Sequence, residues 1–103
     1  MTTFRMFVPK RHGRSLLHFR APQITPQSVI HISATEASEV FDPPPISGQS
    51  FFGFIGDASI TVQNVSPGNG DVDFIVFVDF SSPLNVVTDI TIMDPPEQII
   101  MGT

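Results

Sequence analysis

Three side chains that carry oxygen ligands alternate along one short stretch of the chain, at Asn69, Asp71 and Asp73. Alternate positions of a strand point to one side, so the two carboxylates are able to share a calcium ion. The bidentate glutamate and the other ligands of a complete calcium loop are missing. A glycine-rich hairpin turn with solvated aspartates explains the same residues, and we favour it. We therefore expect no bound metal and no cofactor.

A basic segment, Pro9–Arg14, contains Lys10, Arg11 and Arg14. All five Lys and Arg residues lie among the first twenty residues, which hold no acid, whereas residues 21–103 hold all ten Asp and Glu residues. A hairpin loop with these charges would suit an anion or a phosphate. The alternative that we favour is contact with the acidic body of the same chain or of a second subunit. The net charge of −5 disfavours nucleic acid as a partner.

No set of side chains matches a catalytic signature. His12, His18 and His31 lack the spacing of metal ligands, and His18 and His31 alternate with apolar neighbours. Both are expected on the less buried face of their strands. The chain has no G-x-S-x-G elbow, no G-x-G-x-x-G loop and no Walker-type phosphate loop. We expect a protein that is not an enzyme.

The composition indicates a small cytoplasmic domain. A chain of 103 residues fits one domain, and the absence of cysteine excludes disulfides and metal–thiolate sites. No apolar run reaches the roughly 18 residues of a membrane span, and the N-terminus becomes basic at Lys10, which is the reverse of a signal peptide. Ten Phe beside no Trp and no Tyr disfavour an ordinary sugar-binding face, because those residues combine a stacking ring with a polar handle.

Short runs of Val, Ile, Phe and Thr alternate with Pro and Gly along the whole chain, which predicts an all-β, antiparallel β-sandwich of about seven to nine short strands in one domain. The predicted strands are Phe4–Val8, Ser15–Arg20, Ser28–Ala34, Ser50–Ile55, Ala58–Val65, Asp71–Phe80, Asn85–Asp94 and Gln98–Met101. Proline-rich residues 42–45 are expected to form a rigid crossover, and Thr35–Glu39 allow one helical turn.

The last three long strands share one parity. Their core-type residues are even-numbered: Ala58, Ile60, Val62, Val72, Phe74, Val76, Val78, Phe80, Val86, Ile90 and Ile92. Antiparallel neighbours keep such residues on one face when the connecting loop has an odd number of residues. The two loops, 66–70 and 81–85, each have five. A meander is the simplest arrangement, although one connection of a sandwich is able to cross between the sheets.

The strand Asp71–Phe80 also has apolar residues on its odd face, where Ile75 and Phe77 lie between aspartates. An antiparallel sheet normally has one solvent-exposed face, so we expect this second apolar surface to be covered by another segment of the chain or by another molecule. A second copy of the chain is one candidate, and the N-terminal hairpin or the proline crossover is the other. In a meander, Val87 and Met93 join Ile75 and Phe77 in one strip, which we predict as the interface of a homo-oligomer with the cationic segment nearby.

The first functional hypothesis is a non-catalytic interaction or assembly module that self-associates through one sheet face. The alternative is a β-sandwich module that binds a small sugar or anion, with calcium as a possible aid. Neither hypothesis includes a nucleic acid or a membrane as a partner.

Overall fold

The computed structural model describes residues 1–37 and 52–102, which form seven β-strands and no helix. β-Branched and aromatic residues dominate these strands, as expected for side chains that pack on a pleated surface. The strands are β1 Thr2–Arg11, β2 Gly13–Arg20, β3 Val29–Ala37, β4 Gly53–Phe54, β5 Ser59–Pro67, β6 Asp71–Asp79 and β7 Leu84–Met93.

The strands form two antiparallel sheets. The first sheet has the order β1-β7-β3-β4, and the second has the order β2-β6-β5. The fold class that the sequence predicts, an antiparallel all-β sandwich, is confirmed. In the first sheet β7 lies between β1 and β3, and in the second sheet β6 lies between β2 and β5.

The core lies between the inner faces of the two sheets. Val86, Ile90 and Ile92 of β7 pack in one cluster with Phe74 and Val76 of β6. The even-numbered positions of β5, β6 and β7 therefore face inwards, as the alternation predicts. The first two strands contribute to the same core, where the rings of Phe4 and Phe19 lie 5.1 Å apart between centroids. The two inner faces interdigitate in the usual manner of a sandwich.

The predicted meander is correct for β5 and β6 and wrong for β6 and β7. β5 and β6 are joined by a hairpin and pair in register from Ile60 opposite Val78 to Gln63 opposite Ile75. β6 and β7 do not pair, because the connection between them crosses from the second sheet to the first. Parity does not separate the two arrangements, since β6 and β7 direct even-numbered residues into the shared core both as neighbours in one sheet and as strands of opposite sheets.

Two β-bulges adjust the strands at their ends. In β5 the register shifts between Gln63 and Ser66, and Asn64 adopts a φ of 53° there. Asparagine tolerates this left-handed conformation better than most residues. The extra residue reverses the parity of the strand, so the odd-numbered Val65 packs against the core. The hairpin that follows is tighter than the five residues expected, because Ser66 and Pro67 remain within β5.

A second bulge in β1 bends the strand between Val8 and Arg11, with Lys10 at a φ of 53°. The Lys10 amide donates to Asn85 Oδ1 at 3.1 Å. Gly13, with a φ of 67°, then begins β2 in the other sheet. Pro9–Arg14 is thus a corner between the sheets rather than a hairpin loop, and this prediction is wrong.

Four further predictions have different outcomes. Gln98–Met101 is not a strand, and the side chains of Ile99, Ile100 and Met101 are 80–92% exposed. Thr35 and its two successors continue β3 as extended chain instead of starting a helical turn. The proline crossover at residues 42–45, the start of the strand predicted at Ser50 and the end of the helical turn lie outside the described residues. Within the described ranges, no helix is long and apolar enough to cross a membrane.

Candidate functional site

The outward side chains of the second sheet form a surface that we call the β2–β6–β5 face. Antiparallel pairing aligns β2 with β6 in four successive rows that point outwards. The rows are Arg14 beside Phe77, Leu16 beside Ile75, His18 beside Asp73, and Arg20 beside Asp71. On the other side of β6, Thr61 lies beside Phe77 and Gln63 beside Ile75. Paired side chains on one face of a sheet are close enough to contact each other.

The centre of the β2–β6–β5 face is apolar. Ile75 is only 6% exposed, because it lies on the middle strand with Leu16 and Gln63 in the flanking positions. Phe77 is half-buried. Leu16 lies on the outer strand and is 73% exposed. The cover expected for Ile75 is therefore partly supplied by its own neighbours in the sheet, and Leu16 is the residue that leaves apolar surface in water.

Charges on the β2–β6–β5 face separate by strand. The cations Arg14 and Arg20 lie on β2, whereas the acids Asp71, Asp73 and Asp79 lie on β6. This separation is a consequence of the uneven distribution of charge along the sequence, since β2 belongs to the basic segment and β6 to the acidic remainder. The face thus has a positive strip beside a negative strip.

His18 links the two strips. Its Nδ1 lies 2.6 Å from Asp73 Oδ1, and Arg20 Nε donates to its Nε2 at 3.2 Å. With Nε2 accepting from Arg20, Nδ1–H is the donor to Asp73, which corresponds to the neutral imidazole tautomer. Asp71 Oδ2 lies 3.8 Å from Nε2 on the same side. As predicted, His18 and also His31 are on the exposed faces of their strands.

The candidate calcium ligands Asn69, Asp71 and Asp73 surround the tight turn at the start of β6. Gly70 has a φ of 77°, and the Gly68 amide donates to the Asp71 carbonyl at 2.8 Å. Asp73 Oδ1 accepts a hydrogen bond from His18 Nδ1. Across residues 1–37 and 52–102, no group of His, Asp or Glu has an arrangement that would hold a metal ion. The geometry is that of a glycine hairpin turn.

The candidate anion-binding residues Lys10, Arg11 and Arg14 are divided between the two sheets. Lys10 lies in the bulge of β1, and Arg11 Nη1 donates to the Pro9 carbonyl at 2.8 Å. Arg14 lies in β2 on the β2–β6–β5 face. Strands of opposite sheets present their outward side chains in opposite directions, so the structure does not gather these three cations into one anion site.

The four predicted interface residues do not form one strip. Ile75 and Phe77 lie on the β2–β6–β5 face, whereas Val87 and Met93 lie on the outer face of the first sheet. There Val87 pairs with Phe7 and Thr35 instead of Asp79. The error follows directly from the meander, because the crossing connection after β6 moves Val87 and Met93 to the opposite side of the sandwich.

The outer face of the first sheet, which we call the β1–β7–β3 face, is mostly polar. Arg5, Asp89 and Ser33 form one row across its three strands. Arg5 donates to both carboxylate oxygens of Asp89, from Nε at 2.7 Å and from Nη2 at 2.9 Å. The hydrogen bond from Arg5 holds the pKa of Asp89 below its ordinary value of 3.8, and Asp89 in turn raises the pKa of Arg5.

The contribution of this pair to stability is expected to depend on pH. Because the pKa of Asp89 is lowered in the folded state, the contribution is complete above pH 3.8 and is lost as the pH falls through the folded pKa. Asp89→Asn is therefore expected to destabilise by up to about 1 kcal/mol at pH 7, the range of exposed pairs, and by almost nothing near pH 2. Urea denaturation of both proteins across this range measures the difference.

The control for the loss of one negative charge is Asp57→Asn, at an exposed carboxylate of the β4–β5 connection. A difference between wild type and Asp89→Asn that is constant from pH 7 to pH 2 would contradict the role of the ion pair.

Two features of these faces could not be predicted from the sequence. The alternation of Arg14, Leu16, His18 and Arg20 along β2 is visible in the sequence, but its position beside the odd face of β6 is not. The row of Arg5, Asp89 and Ser33 joins residues up to 84 positions apart, and no local pattern indicates it.

The fold defines a class, that of small antiparallel β-sandwich domains with two differently charged outer faces. No family model, no curated protein and no solved structure matches the chain.

Proposed function

We propose that the protein is a non-catalytic assembly module that self-associates through the β2–β6–β5 face. The observation that supports the proposal is the opposite charge of the two neighbouring strips of this face. A strip with two arginines and His18 lies directly beside a strip with three aspartates, and an apolar group formed by Leu16, Ile75 and Phe77 lies between their charges. Apolar centres with a polar rim are common in protein interfaces.

The strand rows also favour one symmetry. A two-fold axis that runs parallel to the strands, between β2 and β6, lays β2 of one copy over β6 of the other without shifting the rows. Arg20 then faces Asp71 of the second copy, His18 faces Asp73, and Leu16 faces Ile75. The Arg20 row thus meets the opposite charge and the His18 row meets a hydrogen-bond acceptor, and both contacts of each pair are formed because the interface is isologous.

The other in-plane axis is unfavourable. A two-fold axis across the strands lays β2 over β2 with reversed direction, which brings Arg14 towards Arg20 of the second copy. The same axis brings Asp71 of β6 towards Phe77, so β6 supplies no opposite charge in compensation. Like charges that face each other across an interface cost affinity. The charge pattern therefore supports the axis parallel to the strands.

The size of the face indicates a weak affinity. The face is three strands wide and β2 has eight residues, so it covers roughly 14 by 26 Å at ordinary strand spacings. This is about 360 Å² per copy, which is below the roughly 800 Å² per partner of a standard interface and in the range of weak, transient contacts. We therefore expect a dimer that dissociates at about 100 µM and that weakens with added salt, because its ion pairs are accessible to screening.

The first test is the native mass as a function of concentration. Light scattering is expected to give a mass that rises from 11.3 kDa towards twice that value between about 1 µM and 1 mM. Leu16→Glu is expected to raise the dissociation constant by more than about ten-fold, because the new carboxylate lies in a row without a cation. It should leave the fold intact, since Leu16 is 73% exposed.

Ile55→Glu is the matched control, because Ile55 is 99% exposed and lies outside the β2–β6–β5 face. It introduces the same charge and removes a similar apolar side chain. The proposal fails if wild type keeps a mass of 11.3 kDa over the whole concentration range, or if both variants weaken association equally.

A further inference from the structure

An apolar segment beyond β7 is left in water by its own chain. The side chains of Ile99, Ile100 and Met101 are 87%, 80% and 92% exposed. Adjacent side chains of an extended chain point to opposite sides, so Ile99 and Ile100 need cover on both sides. A position within a β-sheet supplies such cover. The run Glu97–Met101 is called the 97–101 segment below.

Strand β2 is an edge strand that is open to a further strand. It pairs with β6 along all eight of its residues, and with no other strand among residues 1–37 and 52–102. Open strand edges accept extended segments of other molecules, because the backbone groups on the free side complete their hydrogen bonds in this way. Leu16, which is 73% exposed at the centre of β2, adds an apolar side chain that such a strand would cover.

The sandwich is also open on the side of β2. The edge strands β3 and β5 contact each other on one side of the molecule. On the other side lie β1 and β2, where the rings of Phe4 and Phe19 are 5.1 Å apart between centroids. Both rings pack against the core and remain half-buried. One face of a strand added to β2 would therefore cover this open side of the core.

The outward residues of the 97–101 segment match those of β2 in one antiparallel register. Every strand pair in both sheets is antiparallel. When Glu97 lies opposite Arg20, Met101 lies opposite Leu16. An acid then meets a cation, and an apolar side chain meets the exposed leucine. Both kinds of cross-strand pair stabilise a sheet.

The inward residues fit the same register. Ile100 then lies opposite Leu17, which is buried in the core at 8% exposure. A shift by one residue would turn every side chain of the segment to the other face. The Glu97 carboxylate would then point towards Phe19 and the core, where an unpaired charge is costly. The alternation of residue types therefore selects the register in which Glu97 faces Arg20.

Two prolines separate β7 from the 97–101 segment. Pro95 and Pro96 favour a stiff, extended chain. Proline is also disfavoured at the second central position of the commonest tight turn. A reversal that returns the segment along β2 of its own chain is therefore unfavourable. A second copy is the partner that these prolines allow.

The exchange between two copies closes on itself. Gln23 and Thr25, which follow β2, line one depression together with Met93 and Pro95. The segment thus leaves its own chain at the end of the sandwich where Arg20 lies. In the antiparallel register it enters beside Arg20 of the second copy. A two-fold axis at this end therefore exchanges both segments at once.

We propose that the 97–101 segment of each copy adds to β2 of a second copy as an antiparallel strand, with Glu97 opposite Arg20 and Met101 opposite Leu16. This contact goes beyond the proposed packing of two β2–β6–β5 faces, because it is made by backbone groups at the edge of the sheet. It does not depend on that packing, which leaves the 97–101 segment exposed.

The test is disulfide trapping, which is specific because the chain has no cysteine. Met101→Cys and Leu16→Cys proteins are mixed at about 100 µM and oxidised. Directly opposed residues of two strands are close enough for a disulfide. The cross-linked heterodimer is expected at about ten times the yield obtained when Met101→Cys is mixed with Thr61→Cys, an exposed position on β5.

Ile100→Asp, added to the Met101→Cys protein, should lower the yield of heterodimer by about ten-fold or more, because the new carboxylate would face the core beside Leu17. Ile55→Asp is the matched control, at a side chain that is 99% exposed, and should leave the yield unchanged. Neither change should alter Tm, since both side chains lie in water. Ile100 is outside the β2–β6–β5 face, so this comparison separates the strand exchange from the face-to-face contact.

Three results would overturn the proposal. The first is an equal yield with Leu16→Cys and with Thr61→Cys. The second is a yield that Ile100→Asp leaves unchanged. The third concerns one chain that carries both Met101→Cys and Leu16→Cys. If this chain forms its disulfide internally at about 1 µM, the segment binds β2 of its own chain and not that of a second copy.

Discussion

Two charge-reversed variants, each of which self-associates more weakly than wild type, are expected to associate with each other when they are mixed. Arg20→Asp gives four acidic side chains around the contact of two identical copies, because each copy contributes the introduced carboxylate and Asp71. Asp71→Arg gives four arginines in the same way. In the mixed dimer, the two acids of one copy face the two arginines of the other, and the attraction of the wild type is restored.

This experiment also identifies the symmetry axis. With an axis parallel to the strands, Arg20→Asp faces Asp71 of the second copy and weakens the dimer by about ten-fold or more, the effect of opposing like charges. With an axis across the strands, the new carboxylate would face Arg14 and strengthen the dimer. Native mass spectrometry of each variant and of the mixture measures the outcome, because the two variants differ in mass.

Asp94→Arg is the control for Asp71→Arg, because it changes the net charge equally at an exposed position beyond β7. It should neither weaken the wild-type dimer nor associate preferentially with Arg20→Asp. If the mixed sample contains only monomers while each variant remains folded, the two strips do not contact each other and the assembly proposal is lost. Rescue in the mixture cannot come from pairing within one chain.

Phe74→Ala is expected to destabilise the protein by about 3–5 kcal/mol, the usual cost of removing a buried phenylalanine. Phe74 is completely buried on β6, the central strand of the second sheet, and packs in the cluster that joins the two sheets. Such a loss is large against a typical free energy of unfolding of about 5–15 kcal/mol. It corresponds to a decrease in Tm of more than about 10 °C for a chain of this length.

Phe54→Ala is the control with the same chemical change at a site that is 42% exposed. It should cost much less, since the side chain already contacts water and the hydrogen bond of Thr35 is made to the backbone carbonyl. Chemical denaturation of both variants compares the two sites. Equal losses, or a loss below about 1 kcal/mol for Phe74→Ala, would contradict the position of Phe74 at the centre of the core.

Alternation of residue types predicts most of the strands because it depends only on local geometry. Asp71–Phe80 differs from β6 by one residue at one end, and Asn85–Asp94 differs from β7 by one residue at each end. The prediction fails at Gln98–Met101, where Ile99 and Ile100 satisfy strand propensity but have no neighbouring strand among the described residues. Strand propensity largely reflects packing against neighbours, and a short apolar segment does not specify whether a neighbour exists.

The candidate surfaces were predictable only in part. Ile75 and Phe77 stand out because the odd face of β6 is unusually apolar, and the sequence alone is enough to notice this. Leu16 and His18 complete the same surface, but they come from a strand more than fifty residues earlier. The predicted position of Val87 and Met93 beside Ile75 and Phe77 was wrong because it depended on which strand lies beside β6.

The sequence by itself determined which side chains of β6, β7 and the first half of β5 face the core, since burial requires the apolar residues of successive strands to share an inner face. It also determined the charge of the two strips, because all cations precede residue 21 and all acids follow it. Only the tertiary structure decided which strands are neighbours. Parity is equal for a hairpin and for a crossing connection, and the choice depends on long-range packing that no short segment contains. That choice set Arg20 beside Asp71 and Arg5 beside Asp89, and so created both surfaces.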